Sequence, residues 1–343
     1  MSIRHLASIQ KIIDIQPIEG ADAIEVATVN AWQVVVKKGE FSIGDLVVYF
    51  EIDSWMPITL APFLSKGKEP RIYENIPGER LRTVRLRGQV SQGLILPLAD
   101  LVNAPGEFVC EEGADVTSNL GIVKYDPPVN AQIAGVARGN FPSMIPKTDE
   151  ERVQNLTKHW DRFKDFKYEI TEKLEGSSMT VAMIDGEFNV CSRNLNLKNT
   201  EDNTLWSVAR RYDIENKMRG LSSDQVAIQG ELVGPGVEGN HYDLKKADFY
   251  VYSIYDIVAG AYLSPEKRQN MCNVMGLKHV PVIAHSAELF DTLGISTIAE
   301  VLKFADGKSL LNPNKLREGI VFKRVDGQEH FKAISNEYLL KQK

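Results

Sequence analysis

The sequence contains little cysteine and no long apolar run. Three cysteines occur in its 343 residues: Cys110, Cys191 and Cys272. Their odd number and wide spacing exclude a disulfide framework and a cysteine-based metal knuckle. The apolar runs, such as 34–36 and 249–255, are far shorter than the roughly 20 residues that a bilayer requires. The start of the chain, Met1-Ser-Ile-Arg-His, lacks the apolar core of a signal peptide. We therefore expect an intracellular (cytoplasmic) protein with no membrane partner. We also expect a monomer.

An excess of positive charge is also absent. Lysine and arginine number 40 against 46 for aspartate and glutamate, so the net charge is −6. This balance excludes a protein that coats nucleic acid through a generally basic surface. With 43% hydrophobic and 25% charged residues, the composition is typical of a globular protein. The length predicts about two domains.

Short β-strands separated by turn residues are predicted in the first part of the chain. The aliphatic and β-branched runs bounded by Gly, Asp, Asn or Pro are Ile24–Val29, Trp32–Val36, Asp45–Phe50, Leu81–Leu86 and Val90–Leu96. Many short strands without helical periodicity favour a small barrel or a sandwich, and an OB-like β-barrel is one candidate for the domain at 1–120.

A linker and a second domain are predicted after the barrel. Asp126-Pro127-Pro128 and Asn140-Phe141-Pro142 interrupt a stretch without periodicity, which we assign as a linker at 121–140. From 141 to 343 the pattern is mixed α+β. Three helices have start signals: Thr200 before Leu205, Ser264 with a stop at Gly276, and Ser296 with a stop at Gly307.

Two Asp-Gly pairs predict hairpin turns in the second domain. At Asp185-Gly186, the register places Ser178 opposite Arg193, which would return this arginine to the segment that begins at Lys173. The second turn is predicted at Asp326-Gly327.

That second register places Val321 opposite Lys332 and Lys323 opposite His330. Because side chains alternate along a strand, Lys323 and Lys332 share one face. The other face is apolar and enters a core, with Ile320, Phe322, Phe331 and Ala333. Two neighbouring ammonium groups with no carboxylate between them are unfavourable unless an anion lies there. The hairpin therefore predicts a phosphate site.

Five segments of the second domain follow one another in a recognisable order. They are Glu172-Lys-Leu-Glu-Gly176, Cys191-Ser-Arg-Asn194, Gln229-Gly-Glu-Leu232, Phe249 to Asp256, and Glu318 to Lys323 followed by Phe331-Lys332. Their identity and order resemble the covalent nucleotidyltransferase superfamily of polynucleotide ligases and capping enzymes. Lys173-x-x-Gly176 is similar to the motif that accepts the nucleotide.

The position of the β-rich region narrows this resemblance. Relatives such as DNA ligases carry an OB domain after the last lysine motif, whereas only residues 333–343 follow Lys332 here. With Lys147 to Asn155 just before the segments that resemble the nucleotidyltransferase motifs, the order resembles the OB-first branch of ATP-dependent, nick-sealing RNA ligases. The resemblance implies an N-terminal OB-like β-barrel followed by a C-terminal α+β nucleotidyltransferase domain with antiparallel sheets.

The resemblance also implies roles for individual residues. Lys173 would take AMP from ATP, pass it to a 5′-phosphate, and so allow a 3′-OH to close a nick in an RNA-containing duplex. The residues implied in nucleotide binding are Glu172, Arg193, Glu231, Tyr252, Lys323, Lys332 and Arg152. Tyr252 would stack on adenine, with Tyr255 as the alternative, and Arg152 would bind the β- and γ-phosphates or the 5′-phosphate. Glu175, Glu231 and Glu318 would hold Mg²⁺ or Mn²⁺ mostly through water.

The chemistry of the acceptor places a requirement on its surroundings. An amine that attacks phosphorus must be neutral, whereas free lysine has a pKa of about 10.4. We expect Lys323, Lys332 and a metal to lower the pKa of Lys173.

Two positions depart from the pattern of the family. Glu175 stands where aspartate is most common, and Ile334 stands where some relatives have a second lysine. We expect Lys323 to compensate for the missing lysine.

A local basic run in the barrel predicts contact with nucleic acid. The segment from Lys66 to Arg87 contains seven basic and three acidic residues. The candidate contacts are Arg80, Arg82, Arg85 and Arg87, and a continuous strand would split these four between two faces unless it bulges near Thr83.

Two other functions stay open at this point. One is another covalent nucleotidyltransferase, such as a DNA ligase. The other is a non-catalytic RNA-binding protein that keeps a degenerate nucleotide pocket.

Overall fold

The computed structural model describes residues 4–101, 109–126, 131–221 and 223–341. Pro127 and Pro128 of the predicted linker lie outside these residues. The chain forms two compact units. The first contains the described parts of Met1–Pro127, Val153–His159 and Leu339–Lys343, and the second those of Pro128–Arg152 and Trp160–Tyr338.

Short strands make up most of the first unit. They are β1 (Ala7–Pro17), β2 (Ile24–Val29), β3 (Trp32–Lys37), β4 (Leu46–Phe50), β5 (Ser54–Pro57), β6 (Arg71–Tyr73), β7 (Ile76–Arg80), β8 (Val84–Leu86), β9 (Gln89–Ser91), β10 (Leu94–Pro97) and β11 (Val123–Lys124). Short 3-10 helices lie at Pro62–Ser65, Leu98–Leu101 and Val153–His159. The strands form a five-stranded sheet in the order β10-β4-β1-β2-β3, a four-stranded sheet in the order β11-β5-β7-β6, and the hairpin β8-β9.

The predicted strands agree with this unit in part. β2, β3 and β4 are confirmed to within one residue at each end, because alternating side chains such as Trp32 and Val34 are buried. The predicted strand Leu81–Leu86 is wrong at its start, since β8 begins only at Val84, and the predicted strand Val90–Leu96 is divided between β9 and β10. β1, the longest strand, was not predicted because its pairing shifts between Ile12 and Asp14 and blurs the alternation.

Helices and longer strands build the second unit. The strands are β12 (Ala137–Asn140), β13 (Glu151–Arg152), β14 (Lys167–Lys173), β15 (Ser177–Ile184), β16 (Glu187–Cys191), β17 (Leu195–Leu197), β18 (Val226–Val233), β19 (Asp248–Asp256), β20 (Ala261–Tyr262), β21 (Lys278–His279), β22 (Val282–Glu288), β23 (Gly319–Arg324) and β24 (His330–Ile334). The helices are α1 (Ala131–Ala134), α2 (Trp160–Phe163), α3 (Thr204–Arg211), α4 (Ile214–Arg219), α5 (Pro265–Met275), α6 (Leu289–Leu293), α7 (Ile298–Ala305) and α8 (Asn336–Leu339), with a 3-10 turn at Glu238–Asn240.

Two sheets organise this second unit. The larger has the order β12-β17-β16-β15-β18-β19-β20, with β21 beside β19, and the smaller has the order β13-β24-β23-β14-β22. All pairs are antiparallel except β13 with β24 and β19 with β21. Phe322 and Phe331 stack at 4.4 Å between ring centroids in the core of the smaller sheet. None of the helices in the described parts of the chain has the length and apolar character needed to cross a bilayer.

Both predicted hairpin turns are confirmed in register. β23 and β24 pair Val321 with Lys332 and Lys323 with His330, and β15 and β16 pair around the turn at 185–186. The extension of the first register is wrong. β16 ends at Cys191, and Ser178 faces Glu231 on β18.

The predicted helix ends differ in their accuracy. α5 begins and ends as predicted, between Ser264 and the left-handed Gly276. α3 is capped by Asn203, whose side chain accepts from the Trp206 amide, rather than by Thr200.

The start and end predicted for α7 are each wrong by one residue. Thr297 caps it in a reciprocal capping box with Glu300, where Ser296 was predicted. The helix ends at Ala305 and its C-cap is Asp306, one residue before the predicted stop at Gly307.

The bounds of the predicted linker stay a prediction. Residues 121–140 include β11, which pairs with β5 of the first unit, and β12, which pairs with β17 of the second.

Candidate active site

Lys173 lies at the end of β14, beside the start of β23. Its register partner is Gly319, and its Nζ is 2.6 Å from Glu318 Oε1. A side chain at Gly319 would place a Cβ 2.3 Å from the Ala333 carbonyl oxygen, so the close approach of β23 and β24 requires glycine there. The second carboxylate oxygen of Glu318, Oε2, is buried without a hydrogen-bond partner.

The charge state of Lys173 differs from the expectation. Burial alone lowers its pKa, but the adjacent Glu318 and then Glu231 outweigh burial and raise the pKa above its usual value. The prediction of a lowered pKa is therefore wrong for this form of the protein. The negative charges of Glu318, 2.6 Å away, and of Glu231 favour the ammonium form of the amine.

Glu231 contributes a second carboxylate from the middle of β18. It faces Ser178 on β15 and Tyr250 on β19. Its removal from water raises the pKa of Glu231 to about 8, although Lys173 acts in the opposite direction. The carboxylate is therefore in a position where a nearby cation would stabilise its charged form.

Glu175 follows Lys173 in the turn to β15 and is held by an aromatic cluster. Its Oε2 lies 3.1 Å from His241 Nδ1, and its backbone N–H donates to the Tyr242 hydroxyl at 2.6 Å. Tyr338 also hydrogen-bonds its side chain, and burial raises the pKa of Glu175. Sequence reasoning missed these three aromatic residues, because no local pattern links positions 241, 242 and 338 to the turn.

Glu172 points to the opposite side of β14 from Lys173, since adjacent residues of a strand alternate. Its Oε2 accepts from the Leu310 amide at 2.7 Å, whereas Oε1 is buried without a partner. Burial raises the pKa of Glu172.

Lys323 links the smaller sheet to β19. Its Nζ donates to the Tyr252 carbonyl oxygen and, at 2.7 Å, to Ser253 Oγ. The same Nζ lies 5.2 Å from the centroid of the Tyr252 ring. Burial, followed by the charge of Arg268, lowers the pKa of Lys323 to about 7. Arg268 is itself held by Glu169.

Lys332 and Arg193 meet at one carboxylate, Asp149. Lys332 Nζ is 2.8 Å from Oδ1 of Asp149, and an Arg193 guanidinium nitrogen is 3.2 Å from Oδ2. Burial lowers the pKa of Lys332, and the negative charge of Asp149 partly offsets this lowering. The predicted absence of a carboxylate beside the paired lysines is therefore wrong, because residue 149 supplies one from a distant part of the chain.

Asp149 belongs to an extended stretch, residues 146–150, that we call the acidic strap. The Pro146 carbonyl oxygen accepts from Gln229 Nε2 at 2.9 Å. The Thr148 and Tyr252 hydroxyls lie 2.9 Å apart. Tyr252 thus contacts the strap through its hydroxyl and Lys323 through its carbonyl oxygen and ring. Its stacking on adenine stays a prediction.

Arg152 directly follows the strap in β13. It is buried and is the parallel register partner of Lys332. Glu231 of β18 and Lys332 of β24 thus act on Lys173 at the end of β14, and Arg152 of β13 lies beside Lys332. Lys323 of β23 instead pairs with Glu169, nearer the start of β14.

The four arginines predicted to contact nucleic acid differ in their surroundings. Arg80 at the end of β7 is ion-paired with Asp53 at 2.6 Å and lies 4.9 Å from the ring centroid of Tyr125. Arg82 is half-buried between β7 and β8. Arg85 and Arg87 are exposed on the hairpin β8-β9.

Within residues 4–101, 109–126, 131–221 and 223–341, no three His, Cys, Asp or Glu side chains form a group that could hold a metal ion directly. Glu231 and Glu318 nevertheless act electrostatically on Lys173, Glu318 also acts on Glu175, and Glu318 Oε2 has no protein donor. Such oxygens suit a hydrated hard cation, which keeps its own water ligands.

Comparisons with known proteins agree with this geometry. A family model described as an OB-fold domain matches residues 6–98, and one described as RNA ligase matches residues 166–336. A comparison with curated proteins gave no match.

Several similar solved structures are of Naegleria gruberi RNA ligase. One is a mutant with AMP and Mn, at 44% identity over 99% of both chains and a TM-score of 0.90. Another, with PPi, has the same identity, coverage and TM-score. A mutant with ATP and Mn is also 44% identical, over 98% of this chain and 99% of that one, with a TM-score of 0.90.

The chain belongs to the RNA ligase family. The predicted fold class, an N-terminal OB-fold followed by an α+β domain with antiparallel sheets, is confirmed.

Proposed function

We propose that this enzyme is an ATP-dependent RNA ligase that seals 3′-OH/5′-phosphate nicks through AMP bound covalently to Lys173. One observation carries the proposal. Lys173 Nζ is 2.6 Å from Glu318, and its charge is coupled to that of Glu231 and Lys332 within the same unit. This grouping of an amine with two carboxylates and a second lysine supports the proposal.

In the first step, the Lys173 nitrogen would attack the α-phosphorus of ATP. A P–N bond forms, the bond to the β-phosphate oxygen breaks, and pyrophosphate leaves. The ammonium must first lose a proton, and Glu318 Oε1, which already accepts its hydrogen bond, is positioned to hold that proton. Lys332 and Arg193 would stabilise the charge that develops on the phosphates.

A divalent cation fits the same group of residues. Glu318 Oε2 is buried without a partner, and Glu231 is a carboxylate whose charged form needs a positive neighbour. Glu175, Glu231 and Glu318 would hold Mg²⁺ or Mn²⁺, largely through water. When bound, the cation would neutralise charge on the α-phosphate and on the carboxylates that keep Lys173 protonated.

The later steps need a polynucleotide. AMP would move from Lys173 to a 5′-phosphate, and a 3′-OH would displace it to form the phosphodiester bond. Glu172 and Tyr252 would position the adenosine, and Arg152 the β- and γ-phosphates or the 5′-phosphate. The similar Naegleria gruberi ligase, in structures with ATP, AMP or PPi, supports a nucleotide at this site.

Intact mass after incubation with ATP and Mg²⁺ tests the covalent step. We expect an AMP adduct that is lost in Lys173→Ala and kept in Lys158→Ala. Lys158 is a suitable control because it is an exposed lysine, also paired with a glutamate, in the first unit. An adduct that persists in Lys173→Ala would refute the assignment of the acceptor.

Matched nicked duplexes separate the remaining functions. We expect sealing when the strand with the 3′-OH is RNA. Equal rates on an all-DNA nick would favour a DNA ligase. No adduct and no sealing in the unmutated protein, with RNA binding retained, would favour a non-catalytic relative.

A further inference from the structure

The acidic strap places a carboxylate where the proposed reaction needs a phosphate. Asp149 uses both of its oxygens, one on Lys332 at 2.8 Å and the other on Arg193 at 3.2 Å. A phosphate group would bridge two cations in the same manner. From this geometry we infer that Asp149 is an internal competitor that occupies the position of a substrate phosphate and must be displaced by it. The inference rests on the proposed function in one respect, the identification of the substrate as ATP or a polynucleotide 5′-phosphate.

The strap is built so that it can move away. Residues 146–150 belong to no strand or helix. Side-chain contacts hold the strap, including Gln229 with the Pro146 carbonyl, Lys147 with Asn194 at 2.8 Å, and the Thr148 hydroxyl. A segment without ladder hydrogen bonds opens at a lower free energy than a strand of the sheet.

The two partners of the ion pair differ in their access to water. The Lys332 side chain is 10% exposed, whereas that of Asp149 is 35% exposed. If they separate, Asp149 can be hydrated at once, but Lys332 is left as a buried ammonium without an anion. Lys332 therefore needs either the strap or a phosphate, and the two exclude one another.

Glu150 adds a second negative charge to the strap. It acts electrostatically on Lys332, Lys323 and Lys173. An incoming polyphosphate thus meets repulsion from two carboxylates until the strap moves. Only the fraction of molecules with the strap displaced can bind the polyphosphate. The apparent dissociation constant therefore equals the intrinsic constant divided by this fraction.

Calorimetric titration of Asp149→Asn tests the inference. The probes are inorganic pyrophosphate, the non-reactive analogue α,β-methylene-ATP, and adenosine. We expect both phosphate probes to bind roughly five- to tenfold more tightly than to the unmutated protein, because the competing population is removed. Adenosine, which has no phosphate, should bind equally to both. Asp149→Glu keeps the charge and should stay within about twofold of the unmutated protein.

Asp161→Asn is the matched control. This carboxylate is also ion-paired with a lysine, Lys164, but is 94% exposed, and we expect no change in affinity. If Asp149→Asn binds pyrophosphate as weakly as the unmutated protein, or more weakly, Asp149 is no competitor and the inference is wrong. Thermal melting of each variant shows whether weak binding results from loss of folding. If Asp149→Asn does not fold, Asp149→Ala is compared with the unmutated protein in the same titrations.

The outcome is also separable from that of the proposed function. Absence of an AMP adduct in the unmutated protein would remove the covalent mechanism. The pyrophosphate affinities of the unmutated protein and of Asp149→Asn would still decide whether the strap competes for an anion.

Discussion

Gly176 lies where the backbone beyond Lys173 passes against β18. A Cβ at this position would be 2.3 Å from the Leu232 carbonyl oxygen and 2.9 Å from Glu231 Cγ. We predict that Gly176→Ala lowers the free energy of unfolding by about 1–3 kcal/mol, the usual effect of overpacking. It should also reduce formation of the AMP adduct, because the added methyl group displaces Glu231. Urea denaturation and intact mass measure the two effects.

Gly139→Ala provides the comparison. Gly139 is also a strand glycine of the second unit, but a Cβ there would meet no atom within 4 Å. Stability and adduct formation should both match those of the unmutated protein. Equal losses in the two variants would mean that crowding at residue 176 is not the cause.

Lys323 was expected to replace a lysine that some relatives have at position 334. The structure gives it a defined position, because it donates to the Tyr252 carbonyl and to Ser253. We predict that Lys323→Met reduces nick sealing by at least about tenfold, which corresponds to about 1.4 kcal/mol of lost transition-state stabilisation. Sealing rates at saturating ATP measure this loss.

The matched variant is Lys303→Met, which changes an exposed lysine on α7. It should seal at the rate of the unmutated protein. Were Lys323→Met to seal as fast as Lys303→Met, compensation by Lys323 for Ile334 would be wrong.

Among the elements, α7 shows how a capping interaction can be tested. Thr297 Oγ1 accepts from the Glu300 amide at 3.2 Å, and Glu300 accepts from the Thr297 amide at 3.0 Å. We predict that Thr297→Ala lowers the free energy of unfolding by about 1 kcal/mol, as loss of an N-cap usually does. Chemical denaturation should show a smaller loss for Ser296→Ala, since that hydroxyl contacts Glu300 only from outside the helix. The reverse order would place the cap at Ser296.

The elements also explain which parts of the site the sequence could predict. A hairpin is a local structure, so Asp326-Gly327 and strand alternation were enough to place Lys323 and Lys332 on one face. Asp149 is far from both lysines in sequence, and no local rule gives its side-chain partners. For the same reason no local pattern indicates the ion pair of Lys173 with Glu318. The pKa of Lys173, which we expected Lys323, Lys332 and a metal to lower, is instead raised by Glu318 and Glu231.

For the whole molecule, two histidines contribute to the dependence of stability on pH. Burial, with Arg268 next in importance, lowers the pKa of His279 to about 4, and burial with Lys323 lowers that of His330 to about 4. Histidine in an unfolded chain titrates near pH 6.5. The unfolded state therefore binds more protons between about pH 6.5 and 4, and the contribution of each histidine to stability is lost as the pH falls through this range.

We predict that His279→Gln reduces this loss. A single proton changes the free energy of unfolding by at most about 1.4 kcal/mol per pH unit. Glu231, whose pKa is raised to about 8, acts in the opposite sense, so only the difference between variant and unmutated protein isolates the histidine. Denaturation midpoints at pH 7 and 5 measure it. His159→Gln, at an exposed position, should behave as the unmutated protein, and an unchanged pH dependence in His279→Gln would contradict the prediction.

The molecule has a net charge of −6, so contact with nucleic acid requires a local group of exposed basic side chains. Arg85 and Arg87 are exposed on the hairpin β8-β9, whereas Arg80 is neutralised by Asp53. We predict that Arg85→Gln combined with Arg87→Gln weakens binding to a nicked RNA duplex. It should also reduce the slope of log affinity against log salt concentration by up to about 2, one phosphate contact for each arginine. Fluorescence anisotropy at several salt concentrations measures both.

Arg80→Gln separates this surface from the rest of the basic run. It should lower stability, because Arg80 pairs with Asp53 and packs on Tyr125, while leaving the salt slope unchanged. The AMP adduct should form normally in the double variant, since the hairpin belongs to the first unit and Lys173 to the second. A salt slope that falls with Arg80→Gln but not with the hairpin variant would assign the phosphate contacts to the end of β7, and the hairpin would then have no part in holding the duplex.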